Sequence, residues 1–136
     1  MKIYLVSSCL VGLATRYDGQ SKPDADCIGE LKKTGSFWVP VCPEQLGGLP
    51  TPRDPADLVG GDGRNVLRGK ANVVTRKGVD VTSCFIRGAE QVLRLAEQFP
   101  VTGVYLKSGS PSCGYGEVLG VTAALLVSRG YSIRSF

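Results

Sequence analysis

A chain of 136 residues, 43% apolar and 21% charged with a net charge of +4, has the bulk of a single globular domain spanning residues 1–136. It holds no histidine, which rules out an imidazole base and any histidine-ligated metal. No apolar run approaches the roughly 18 residues of a membrane span. The five cysteines are an odd number with no tight ladder, which argues against a disulfide framework and for a cytoplasmic protein.

The opening MKIYLVSSCLVG has the short apolar run of a signal peptide. Ser7 and Ser8 interrupt that run, and it flows into TRYDGQ without a small-residue cleavage site, so Lys2 to Ser7 reads as a buried strand. After a glycine-containing loop, Asp24 to Lys33 forms a helix that Gly35 closes, and Phe37 to Val41 forms the second strand. The segment CPEQLGGLPTPRDP reads as loop from its Gly and Pro content. Leu58 to Val81 is an excursion, with short ribbon strands expected at Asn65–Leu67 and Ala71–Thr75. Its LVGGDGRN stretch follows no buried strand and lacks GK[ST], so neither a Walker loop nor a dinucleotide fingerprint is present. From Val81 to Phe99 the apolar residues Val81, Phe85, Ala89, Val92 and Ala96 recur every three or four positions; Asp80 is the expected N-cap and Pro100 the stop. Val101 to Leu106 is the third main strand, Leu119 to Ser128 a helix of small and branched residues, and Tyr131 to Phe136 the fourth strand.

This order, with right-handed crossovers, predicts a three-layer α/β/α domain with a mainly parallel four-stranded sheet and a small inserted β-ribbon. Ligands of such open sheets lie outside the carboxyl ends of the strands. Cys9, Cys42 and Cys113 all fall there, just past predicted strands in VSSCLVG, VPVCPEQLGG and SGSPSCGYG. Their glycines and prolines leave backbone N–H groups free to stabilise a thiolate, and a helix shortly after Cys113 is expected to lower its pKa. Cys27 and Cys84 lie in helices beside apolar positions and read as packing residues.

Three such thiolates suit an iron–sulfur cluster with one open iron. Completed by a carboxylate or water, they equally suit zinc. A redox or nucleophilic cysteine is a weaker reading, since there is no CxxC and no histidine to act as its base. Glu44, two residues past Cys42, is placed to move a proton at the same ligand. Ser108, Ser110 and Ser112 crowd the Cys113 loop, where turn bonding is their default and positioning of a substrate the alternative, Ser110 before Ser108. Arg16, Asp18 and Arg53 are candidates for anchoring polar groups of a small molecule, although Arg16 and Asp18 are equally able to pair with each other. Between Arg53 and Lys77, six Lys or Arg face three Asp. That stretch reads as a solvated surface or an attraction for small anions, not as a nucleic-acid interface.

The blocks CLVGLATRYDG, PVCPEQLGGLPTPRDPAD, GVDVTSCFIRGAE, LKSGSPSCG and GVTAALL span nearly the whole chain in order, and together they resemble the thiouracil desulfurase family. The resemblance implies a 4Fe–4S cluster on Cys9, Cys42 and Cys113 and removal of sulfur from thiouracil-type bases. With such a cluster in place, the expected chemistry is non-redox and hydrolytic, an open iron taking the thiocarbonyl sulfur while Glu44 deprotonates water, and cluster-assembly machinery is an expected partner. Two other readings stand beside it: a non-enzymatic metal or cluster-binding module in sulfur handling or sensing, and a desulfurase of thiolated nucleosides or nucleotides. One departure is the loop after SPSCG, which is longer in family members and here is cut to YGEVL, Tyr115 to Leu119.

Overall fold

In the computed structural model, which describes residues 1–136, Leu5 and Val6 are fully buried on opposite faces of β1 (Ile3–Ser7). A strand buried on both faces belongs at the centre of a covered parallel sheet. β1 indeed pairs in parallel with β2 (Phe37–Val41) on one side, from Ile3 opposite Phe37 to Ser7 opposite Val41, and with β5 (Gly103–Leu106) on the other. Edge strand β6 (Ile133–Ser135) runs parallel to β5, completing the order β2-β1-β5-β6.

On one face Tyr4, Val6 and Tyr105 pack with Cys27 and Leu31 of α1 (Ala25–Lys33). On the other, Leu5, Val104 and Leu106 meet Val92, Leu93 and Ala96 of α4 (Thr82–Glu97) and Ala123, Ala124 and Leu126 of α5 (Val121–Ser128). The crossover leaving β1 therefore runs over one face and the crossover leaving β5 over the opposite face. The chain diverges between these two adjacent strands, which creates the crevice where open α/β sheets take ligands.

The helix ends follow the expected chemistry. Asp24 accepts from Cys27 N at 2.9 Å and Gly35 adopts φ 59° after α1. Asp80 accepts from Thr82 N at 2.9 Å, so it holds the first N–H of α4 from one residue outside the boundary. α4 ends at Glu97, two residues before the expected Phe99.

The excursion differs in one respect. Its antiparallel ribbon is made of β3 (Ala56–Val59) and β4 (Asn72–Thr75), while Asn65–Leu67, expected as a strand, lies in helix α3 (Gly63–Leu67). A reciprocal capping box decides this. The Asp62 carboxylate accepts from Arg64 N and Asn65 N, and Asn65 Oδ1 accepts from Asp62 N. Val66, Val73, Phe85, Ala89 and Val121 form a satellite core that ties α3 and the ribbon to α4 and α5. A further one-turn helix, α2 (Pro43–Leu46), lies in the segment read as loop, with Pro43 at its first position. It packs backbone to backbone on α4: a Cβ at Gly47 would sit inside the Cys84 carbonyl, and one at Gly88 inside the Pro43 carbonyl.

Candidate active site

Cys9 sits in a single 3-10 turn, Ser8–Val11, that leaves β1 directly and is closed by Gly12 at φ 97°. Cys42 follows β2 immediately and is the residue before α2. Cys113 follows β5 in the SPSCG loop. The three line one cavity of about 470 Å³ together with Glu44, Arg53, Arg16, Ser108, Ser110 and Ser112. Asp18 stays outside the wall. It accepts from Gln20 N at 3.0 Å and pairs with Arg16 at 3.7 Å, ordering the first loop. Neither Cys27, fully buried against the sheet, nor Cys84 reaches the cavity.

The SPSCG loop is fastened to the start of α5. Pro111 O accepts from Val121 N at 2.9 Å, and Ser112 O accepts from Thr122 N at 2.9 Å and from Ala123 N at 3.2 Å. The free N–H groups of that helix are thus spent on the loop's carbonyls, not on the Cys113 sulfur. The expected lowering of its pKa does not occur: burial pushes the Cys113 thiol up to about 12, opposed only in part by the nearby Ser7 and Ser112 side chains. Burial also raises Cys9, against the pull of Lys107 and Arg16, and neighbouring Cys42 adds to the rise. Ligation by these sulfurs displaces their protons and is therefore coupled to pH.

Glu44 joins two of the three cysteine loops. Its Oε1 accepts from Arg53 Nε at 2.9 Å and its Oε2 from the Ser112 hydroxyl at 2.9 Å. Arg53 also donates from Nη2 to Thr15 O at 3.1 Å and lies 3.9 Å from the Cys42 sulfur. Ser110 Oγ stands 2.9 Å from Ser112 Oγ and accepts from the backbone N of Ser112 and Cys113 at 3.2 and 3.1 Å. With the Ser112 proton given to Glu44, the Ser110 proton must go to Ser112. Ser110 is then filled by its own loop, and Ser112 is the serine that touches the carboxylate. Sequence reasoning ranked Ser110 and Ser108 above Ser112 because nothing local marks a bond across 68 residues. Ser108 lies beside Lys107, whose Nζ donates to the Ser108 carbonyl at 2.9 Å. Ser7, Thr15 and Lys107 also border the cavity, and no sequence motif singles them out.

No three Cys, Asp or Glu side chains stand close enough together to hold one metal ion. Three thiols set around a cavity of this size, with Arg16, Arg53 and Lys107 beside them, suit a larger anionic group of the multinuclear iron–sulfur type.

The sequence pattern of the 2-thiouracil desulfurase family matches residues 4–135. Uncharacterized protein YbbK of Bacillus subtilis (strain 168) is 42% identical over 146 aligned positions, which cover 96% of this chain and 93% of YbbK. Among solved structures, the 4Fe–4S-dependent thiouracil desulfidase TudS matches with a TM-score of 0.81 and 38% identity, covering 99% of this chain and 91% of that one.

Proposed function

Because the chain belongs to the 2-thiouracil desulfurase family, we propose that it is a 4Fe–4S-dependent desulfurase that replaces the sulfur of a thiolated pyrimidine base by oxygen from water, without net redox change. The reaction balances as thiocarbonyl plus water giving carbonyl plus hydrogen sulfide. The observation that carries the reading is the gathering of Cys9, Cys42 and Cys113 around one cavity with Glu44 in its wall. The three cysteines are the ligands that would hold the cluster. When bound there, it supplies a Lewis-acidic iron without a protein ligand for the thiocarbonyl sulfur.

The chain's own groups supply the proton chemistry and the positioning. Glu44 accepts a proton from water at the attacked carbon and returns it to the departing sulfur. Arg53 and Ser112 each hold one of its oxygens, so the carboxylate meets the substrate in a fixed orientation. Ser110 shapes the Cys113 loop from within, and Arg16 and Lys107 offer positive charge at the cavity wall.

Anaerobic reconstitution with iron and sulfide tests the assignment. The expected result is roughly four irons per chain and release of sulfide with formation of uracil from 2-thiouracil. Single Ser replacements of Cys9, Cys42 or Cys113 should abolish iron uptake, whereas replacements of Cys27 or Cys84 should not. Iron-loaded protein that leaves thiolated pyrimidines, their nucleosides and their nucleotides untouched would overturn the assignment and favour a non-enzymatic cluster-binding role.

A further inference from the structure

Part of the cavity wall is contributed by the ribbon, through Pro55, Ala56, Asp57, Leu58 and Arg76. Ala56 pairs with Thr75 and Asp57 with Val74, and Arg76 N donates to Pro55 O at 2.9 Å, so the ladder continues one residue beyond β4. Because side chains alternate along a strand, Ala56, Leu58 and Val73 face the satellite core, while Pro55, Asp57, Val74 and Arg76 share the other face. Asp57 and Arg76 are diagonal neighbours on that face, a relation that spans roughly 7–8 Å. They form no ion pair with each other.

They also differ from every other charged residue in the cavity wall. Arg16 pairs with Asp18, Glu44 with Arg53, and Lys107 with the Ser108 carbonyl. The Asp57 and Arg76 side chains have no hydrogen-bond or ion-pair partner in the protein, and both residues are exposed and line the cavity. An acceptor and a donor left free side by side match a ring edge that carries an N–H next to a carbonyl. Both 2-thiouracil and 4-thiouracil have that edge: N3–H lies between the thiocarbonyl carbon and the remaining carbonyl carbon.

We propose that Asp57 and Arg76 are specificity-determining residues that read this edge, Asp57 accepting from N3–H and Arg76 donating to the adjacent carbonyl oxygen. The proposal rests on the desulfurase reading above and adds which face of the base meets the ribbon. It assigns the two residues to binding and not to proton transfer, which lies with Glu44.

The test uses cluster-loaded wild type with Asp57→Ala, Asp57→Asn and Arg76→Ala variants, assayed on 2-thiouracil and N3-methyl-2-thiouracil. Iron content should be equal in all four proteins. Methylation should lower kcat/KM of the wild type about tenfold or more, as loss of a hydrogen bond to a charged group does. In Asp57→Ala that methylation penalty should shrink towards unity, and in Arg76→Ala KM should rise for both substrates with little change in kcat. Asp57→Asn should fall between wild type and alanine. A methylation penalty unchanged in Asp57→Ala, or an unchanged KM in Arg76→Ala, would overturn the proposal while wild-type turnover left the desulfurase reading intact. Absence of wild-type turnover on every thiolated pyrimidine would instead remove the reading on which the proposal stands.

Discussion

Arg53 Nε donates to Glu44 Oε1 at 2.9 Å with side chains only 6% and 14% exposed, and the same guanidinium reaches Thr15 O, Thr51 Oγ1 and Pro50 O. One arginine thereby ties the loop after β1 to the loop after β2 and holds the carboxylate between them. Removing one partner of such a buried pair typically costs about 3–5 kcal/mol because the other charge is left unpaired. Arg53→Ala should lower the midpoint of thermal unfolding of the apoprotein and greatly reduce turnover. Arg53→Lys should recover part of the stability but less of the activity, because an ammonium cannot span the same set of acceptors. Equal melting of Arg53→Ala and wild type would show that the pair does not brace these loops.

Glu44→Gln keeps the shape and the hydrogen-bonding reach of the side chain while removing its capacity as a base. Iron uptake should be preserved and kcat should fall by about 100-fold or more. Turnover at the wild-type rate would take Glu44 out of proton transfer.

The two serines of the SPSCG loop should separate in their effects. Ser112→Ala leaves Glu44 Oε2 without its donor, so kcat should drop by about tenfold at unchanged iron content. Ser110→Ala removes the acceptor of the Ser112 and Cys113 backbone N–H groups, so the loop should loosen and iron retention during gel filtration should suffer first. The reverse pattern would mean that Ser110, as the sequence suggested, is the one that meets the substrate.

Gly88→Ala adds one methyl group on a helix where alanine is otherwise favourable. Here that methyl would occupy the position of the Pro43 carbonyl, so α2 has to move, at a cost of about 1–3 kcal/mol. Cys42 and Glu44 flank Pro43 in the chain. The substitution should therefore lower the unfolding midpoint, iron affinity and activity together, although Gly88 touches no ligand. A variant that is destabilised yet binds iron and turns over normally would show α2 to be free of its seat on α4.

Cys27 provides a pH test away from the cavity. Burial, followed by the nearby Asp24 and Glu30 carboxylates, raises its thiol from 9.0 to about 11. The folded state thus holds this proton more tightly than the unfolded chain. Its contribution is fully present below pH 9 and is lost as pH rises towards 11. In denaturant titrations of the apoprotein over this range, stability should decline with pH, and less steeply in Cys27→Ala than in wild type. Parallel declines would remove Cys27 as a source of alkaline lability.

The central strand and the longest helix were legible because their signals are local and long enough to read. The near-continuous apolar run at Ile3–Val6 and the three-to-four-residue period from Val81 to Ala96 each leave one interpretation. Segments of four or five residues were not legible on the same terms. Val66 and Leu67 look like a strand until the bonds between Asp62 and Asn65 are counted, and β3, wedged between Pro55 and Gly60, has too few residues to show alternation. α2 carried a usable sign, a proline at its first turn followed by Glu44, but one turn of helix has no period to detect. The gathering of Cys9, Cys42 and Cys113 at one cavity was legible from their places after β1, β2 and β5. The Glu44 network depends on contacts between remote loops, so Ser112 was passed over in favour of its neighbours, and the burial that raises Cys113 was invisible in the sequence around it.

The sheet order also has a consequence for the timing of assembly. Cys9 and Cys42 follow neighbouring strands, whereas Cys113 joins them only when β5, near the end of the chain, docks beside β1. A growing polypeptide cannot present all three thiols until almost its whole length has been synthesised and β5 has been inserted into the sheet. A cofactor held by all three residues is therefore complete only once β5 has docked. Until the three are ligated, the partly exposed Cys42 is more open to oxidants than the buried Cys9 and Cys113.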